Sequence, residues 1–148
     1  MLKDLCLLNG TSGREDAVRN YIIEKIKDKC EYSVDALGSV IAFKKGKKAP
    51  DKKVLVAAHT DEVGFIITDI TDDGYLRFAP VGGIDAAVVL GRRVDINGIK
   101  GVVGAKAVHL LSDDEKKNEP AFDKLAIDIG AADKAEAEKA VSLGDCAY

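Results

Sequence analysis

The chain is short of cysteine and histidine, has no excess of either charge and contains no long apolar run. Each shortage removes a class of function. Its three cysteines, Cys6, Cys30 and Cys146, lie far apart and form no CxxC pair. Neither a disulfide framework nor a sulfur-rich zinc finger is encoded, and the three read as reduced, packed thiols. With 22 Lys and Arg against 25 Asp and Glu, the net charge is -3. No field of one sign exists to recruit nucleic acid or an anionic membrane, so neither partner is expected. The apolar stretch within Met1–Leu8 is too short for a signal peptide, and no later run approaches a membrane span of about 20 residues. The expectation is a soluble, cytoplasmic protein. There is no internal repeat and no low-complexity tract.

What is present suffices for a core. At 148 residues and 47% hydrophobic content, the chain has room for one ordinary domain or two small ones. Two regions differ in rhythm. In the first, Leu2 to Leu8 predicts a short helix, and Ser12-Gly13-Arg14-Glu15 has the form of a capping box, a hydroxyl followed three residues later by a carboxylate. A longer helix is expected there, with Val18, Tyr21, Ile22, Ile26 and Cys30 at helical spacing packed on a sheet. Strands are expected at Tyr32 to Asp35, Val40 to Lys44 and Val54 to His59, with Gly38 in the first turn. The lysine-rich stretch Lys44 to Lys53 reads as an exposed connection.

From Gly64 onward the pattern becomes short strands separated by turns. Phe65 to Ile70 and Tyr75 to Pro80 flank Thr71-Asp72-Asp73-Gly74, and Val94 to Ile96 and Ile99 to Val103 flank Asn97-Gly98, a strong hairpin signal. Leu125 to Ile129 predicts a strand. Asp133 predicts a helix cap with Ala137 and Val141 facing inward, and Gly144-Asp145-Cys146 a turn onto a last strand. Ser112 to Glu119 reads as loop. So many short strands in about 80 residues argue for a small β-barrel or sandwich.

The chemistry concentrates at His59-Thr60-Asp61, directly after the apolar run Val54-Leu55-Val56-Ala57-Ala58. Such a run predicts a buried strand, and polar residues at its end fall at the sheet edge, where α/β proteins keep their chemistry. Residues two apart on a strand share a side, so His59 and Asp61 can act on one centre. A neutral imidazole is a good metal ligand, and a nearby carboxylate can hold its ring in one tautomer. A lone histidine at a strand end also serves as a structural or surface residue, and spacing alone leaves both readings open. Glu62 points to the opposite side from Asp61 and is expected to be a structural partner; that divergence also disfavours a paired-carboxylate glycosidase. His109, the only other histidine, is expected to be structural or interfacial.

Gly10-Thr11-Ser12-Gly13-Arg14-Glu15, the Asp35-x-x-Gly38 turn, Ala58-His59-Thr60-Asp61-Glu62-Val63-Gly64, Val81-Gly82-Gly83 and Ile127-Asp128-Ile129-Gly130-Ala131 occur in a familiar order. In this order they resemble the dinuclear metallo-aminopeptidases that include glutamyl and deblocking aminopeptidases and tetrahedral, twelve-subunit particles. Ser39, where the family usually has Asn, and Thr60, where it usually has Met, are departures that do not touch the chemistry. The resemblance implies a mixed α+β chain. Residues 1–67 would be the N-terminal part of an α/β zinc-peptidase domain, and residues 68–148 an inserted β-barrel, PDZ-like dimerisation domain. By position, His59 matches the family's first metal ligand and Asp61 the acidic residue that orients it.

The implied reaction removes the N-terminal residue of a peptide substrate, using two divalent ions, zinc or cobalt. The family's other ligands and its glutamate base come from sequence beyond the insert, so the site here is incomplete. The expectation is an aminopeptidase segment with little or no activity of its own that forms a homo-oligomer through its barrel. The alternative is an assembly or regulatory module without catalysis.

Overall fold

A computed structural model describes residues 1–48, 51–105 and 121–148. His109 and Ser112 to Glu119 lie outside the described residues. The chain divides into two compact units, Met1–Glu62 and Val63–Tyr148.

The first unit opens with helix α1 (Leu2–Leu5) and continues with α2 (Asp16–Ile26). Tyr21 Oη donates to Asp4 Oδ2 at 2.7 Å and ties the two together. Of the expected apolar stripe, only Val18 is buried; Tyr21, Ile22 and Ile26 are half-buried, and Cys30 lies beyond the helix end. The capping box does not form. Glu15 occupies the cap position without a side-chain cap bond, and its carboxylate accepts from Gly13 N at 2.7 Å. Ser12 is not available as the cap because its hydroxyl is committed to Asp61.

Strands β1 (Glu31–Val34) and β2 (Val40–Phe43) pair antiparallel as a two-stranded sheet. Asp35 closes their turn by accepting from Leu37 N at 2.9 Å and Ser39 N at 2.8 Å. The third expected strand is absent. Residues 54–58 pair with no strand among the described residues, and Val54 and Leu55 are each 90% exposed. An apolar run becomes a strand only when another strand's backbone groups meet its own, and the two-stranded sheet of this unit offers it none.

The second unit is a six-stranded antiparallel sheet in the order β5-β6-β7-β4-β3-β8, built from β3 (Gly64–Ile70), β4 (Leu76–Val81), β5 (Arg93–Ile96), β6 (Ile99–Ala105), β7 (Leu125–Asp128) and β8 (Cys146–Ala147). The expected hairpins form. β3 and β4 join through Thr71–Tyr75, and β5 and β6 through Asn97-Gly98, where Asn97 adopts φ 52° as that tight turn requires. The two edges of the sheet then meet. Asp95 N donates to Tyr148 O and Tyr148 N to Asp95 O, each at 3.0 Å, so β5 and the residue after β8 nearly close a barrel. Closure satisfies edge groups that would otherwise be open for pairing.

Inside the barrel lie Ile67, Leu76, Ile96, Val103, Leu125 and Ile127, all almost fully buried. Phe65, Phe78 and Phe122 form an aromatic cluster with Phe65 and Phe78 edge to face at 4.9 Å. Two short elements have no counterpart in the sequence reading. They are α3 (Ala86–Val89), capped by Asp85 through Ala87 N at 2.9 Å, and a 3-10 turn at Phe122–Lys124. Helix α4 (Lys134–Ala140) starts at Asp133 as expected, with Glu136 N donating to Asp133 Oδ1 at 2.8 Å and with Ala137 and Val141 buried. The cysteines are all free: Cys146 is buried and Cys30 half-buried, but Cys6 is exposed rather than packed. No helix among the described residues is long and apolar enough to cross a membrane.

Candidate functional site

His59 and Asp61 come together in the first unit, though not by the strand alternation expected, since residues 54–61 form no strand; the contact is local. His59 Nδ1 lies 3.0 Å from Asp61 Oδ1 and 2.9 Å from the Asp61 carbonyl oxygen. Both neighbours are acceptors, so the geometry suits the ring form with its proton on Nδ1, which then donates. In that form Nε2 carries the lone pair, and it has no hydrogen-bond partner among the described residues. The ring is 85% exposed, so its lone pair is accessible from solvent.

The other oxygen of the carboxylate, Asp61 Oδ2, accepts a hydrogen bond from Ser12 Oγ. Principally this hydroxyl, with smaller contributions from the Asp61 backbone and His59, holds the Asp61 carboxyl below its ordinary pKa, against the opposing effect of partial desolvation. Asp61 is therefore an anion with both oxygens engaged. Glu62 turns away and serves the backbone. Its carboxylate accepts from Gly10 N at 3.1 Å, its own N donates to Gly10 O at 2.8 Å, and a parallel bridge joins it to Thr11.

Sequence reasoning placed His59 and Asp61 together and missed Ser12. No local pattern signals a contact across 49 residues; only the co-occurrence of the Gly10–Glu15 motif with His-x-Asp-Glu hinted at it.

As a metal site the donor set is partial. Among the described residues no three His, Cys, Asp or Glu side chains converge, whereas a catalytic zinc generally takes three protein ligands and a water. The arrangement fits one ligand with its orienting carboxylate and does not by itself fit a pair of ions.

Residues 38–148 match the family described as M42 glutamyl aminopeptidase. A protein of Acetivibrio thermocellus with a provisional aminopeptidase assignment is 44% identical over 149 residues, covering 99% of this chain and 43% of that protein. A TET aminopeptidase structure from a marine sediment archaeon of the Thaumarchaeota superposes with a TM-score of 0.91 at 38% identity, covering 99% of this chain and 42% of the other. The TET1 peptidase of Pyrococcus horikoshii, described as assembling into a tetrahedron or a large octahedral shell, superposes with a TM-score of 0.82 at 42% identity over 99% of this chain and 44% of its own. The chain thus spans less than half the length of each of these relatives.

Proposed function

The chain belongs to the M42 glutamyl aminopeptidase family, and on that premise we propose that it is a segment of a metal-dependent aminopeptidase acting on the N-terminal residues of peptides. His59 is the metal ligand and Asp61 the acidic residue that orients it. The observation that carries this reading is the 3.0 Å contact of His59 Nδ1 with Asp61 Oδ1, which leaves Nε2 open. A divalent ion, zinc or cobalt, would supply Lewis acidity toward water and a peptide carbonyl. The residues of this chain do the preparatory work: Asp61 keeps the proton on Nδ1, and Glu62 anchors the segment to Gly10.

We assign Met1–Glu62, which ends short of the residue 67 expected from the sequence because Gly64–Ile67 pair in the barrel sheet, to the α/β peptidase domain and Val63–Tyr148 to an inserted, PDZ-like dimerisation barrel. Two observations support homo-oligomerisation through the barrel. It folds as a unit with its own core, and a similar solved peptidase is described as assembling into a tetrahedron or a large octahedral shell. The same self-contained barrel favours a second role as an assembly module without catalysis. The cytoplasm is the proposed location.

The 148-residue chain alone is expected to be inactive, because its described residues assemble one ligand. Purified chain with zinc or cobalt should leave leucyl- and glutamyl-anilides intact. Hydrolysis that His59→Ala abolishes would overturn the inactivity and place a complete site within the sample. Sedimentation as a monomer across micromolar concentrations would count against the assembly role.

A further inference from the structure

We infer that Ser12 is a positioning residue for the metal-ligand histidine, acting through Asp61; the inference rests on the reading of His59 as a ligand and extends it to a third side chain. Left alone, a half-buried aspartate outside any strand would sample several rotamers. Here the Ser12 hydroxyl takes Oδ2 and so turns Oδ1 toward His59 Nδ1.

The serine is itself placed by backbone contacts that do not depend on its side chain. Gly10 both accepts from Glu62 N and donates to the Glu62 carboxylate, Thr11 bridges to Glu62 and is fully buried, and the next residue is Ser12. A turn in which Arg14 N donates to Thr11 O at 2.7 Å holds the far side. The hydroxyl is thus delivered to the carboxylate by a fixed loop. A carboxylate is the stronger of the two acceptors at Nδ1, because a hydrogen bond to an ion is roughly twice as strong as one to a neutral carbonyl. Aligning that carboxylate therefore biases the imidazole toward the Nδ1–H tautomer, with Nε2 ready to ligate. The chemistry that ordinarily sets a ligand's tautomer through one outer partner is here extended by a second.

The test is a nitrogen-15 long-range correlation spectrum of the histidine side chains in the full chain without metal, above the pH at which imidazole is protonated. His59 is assigned by its loss in His59→Ala. In the native chain its Nδ1–H form should dominate. Ser12→Ala should shift the ratio toward Nε2–H by about threefold or more, while Ser12→Thr, which keeps the hydroxyl, should retain the native ratio. Amide spectra that stay native-like in both variants separate a tautomer effect from misfolding. An unchanged ratio in Ser12→Ala, with a shifted one in Asp61→Asn, overturns the role of Ser12 and spares that of Asp61. If Asp61→Asn leaves the ratio unchanged as well, the orienting role of Asp61 falls with it.

Discussion

Asp61 Oδ1 stands 3.0 Å from His59 Nδ1, and this contact converts a common His-x-Asp spacing into an oriented imidazole. Around it three hydrogen bonds, from Gly10 N to the Glu62 carboxylate, from Glu62 N to Gly10 O and from Ser12 Oγ to Asp61, hold this segment against the loop at Gly10–Ser12.

The Glu62 carboxylate should be a structural anchor. Glu62→Ala leaves Gly10 N without its side-chain acceptor in a half-buried position, and is expected to lower stability by about 1 kcal/mol. Urea denaturation of the two proteins checks this. A neutral substitution would mean that water replaces the carboxylate at no cost.

Gly74 is where the β3–β4 turn meets the entry to α4. It has φ +80°, and a Cβ there would lie 2.9 Å from the carbonyl oxygens of both Ala131 and Asp133. Gly74→Ala should cost about 2–4 kcal/mol, combining left-handed strain with a backbone clash. Gly130 has the same φ but open space around it, so Gly130→Ala should cost only the strain, about 1–2 kcal/mol. Equal losses in denaturant melts would refute the clash.

Acid should weaken the barrel in part through Asp95. Lys100 Nζ, 2.6 Å away, and then the Gly98 amide hold this carboxyl below its ordinary value. A carboxylate with a depressed folded-state pKa contributes its full stabilisation above the unfolded value of about 3.9 and loses it as the pH falls through the folded value. The melting-temperature gap between the native chain and Asp95→Asn should therefore be widest near neutrality and shrink below about pH 4. A gap of the same size at pH 3 and pH 7 would exclude this ion pair as the cause.

The run Val54-Leu55-Val56 should drive self-association. An unpaired apolar segment is a template for another chain's backbone and side chains. At 90% exposure, Leu55 is the position to change. Leu55→Lys is expected to reduce the weight-average mass seen in sedimentation at a given concentration. No change would exclude this run as a contributor and leave the barrel as the route of association.

Much of the second unit was legible because its signals are local. The Asn97-Gly98 turn, the Thr71–Tyr75 connection and the Asp133 cap depend on residues within a few positions of one another, and each formed as read. The first unit was less legible. Ser12 looked like a helix cap, yet its hydroxyl went to Asp61, since two polar partners competed for it and the distant one won. Residues 54–58 had every mark of a buried strand except a neighbour.

By itself, the sequence determined the turns that fold β3 with β4 and β5 with β6, the two-residue separation that keeps Asp61 within reach of His59, and a motif order that places the chain in its family. Only the tertiary structure decided that Ser12 serves Asp61, that Glu62 clamps Gly10, and that Asp95 and Tyr148 nearly close the barrel. The physical reason is separation along the chain. Periodicity and turn chemistry act over a few residues, whereas a hydrogen bond between distant segments exists only once packing has brought donor and acceptor within reach.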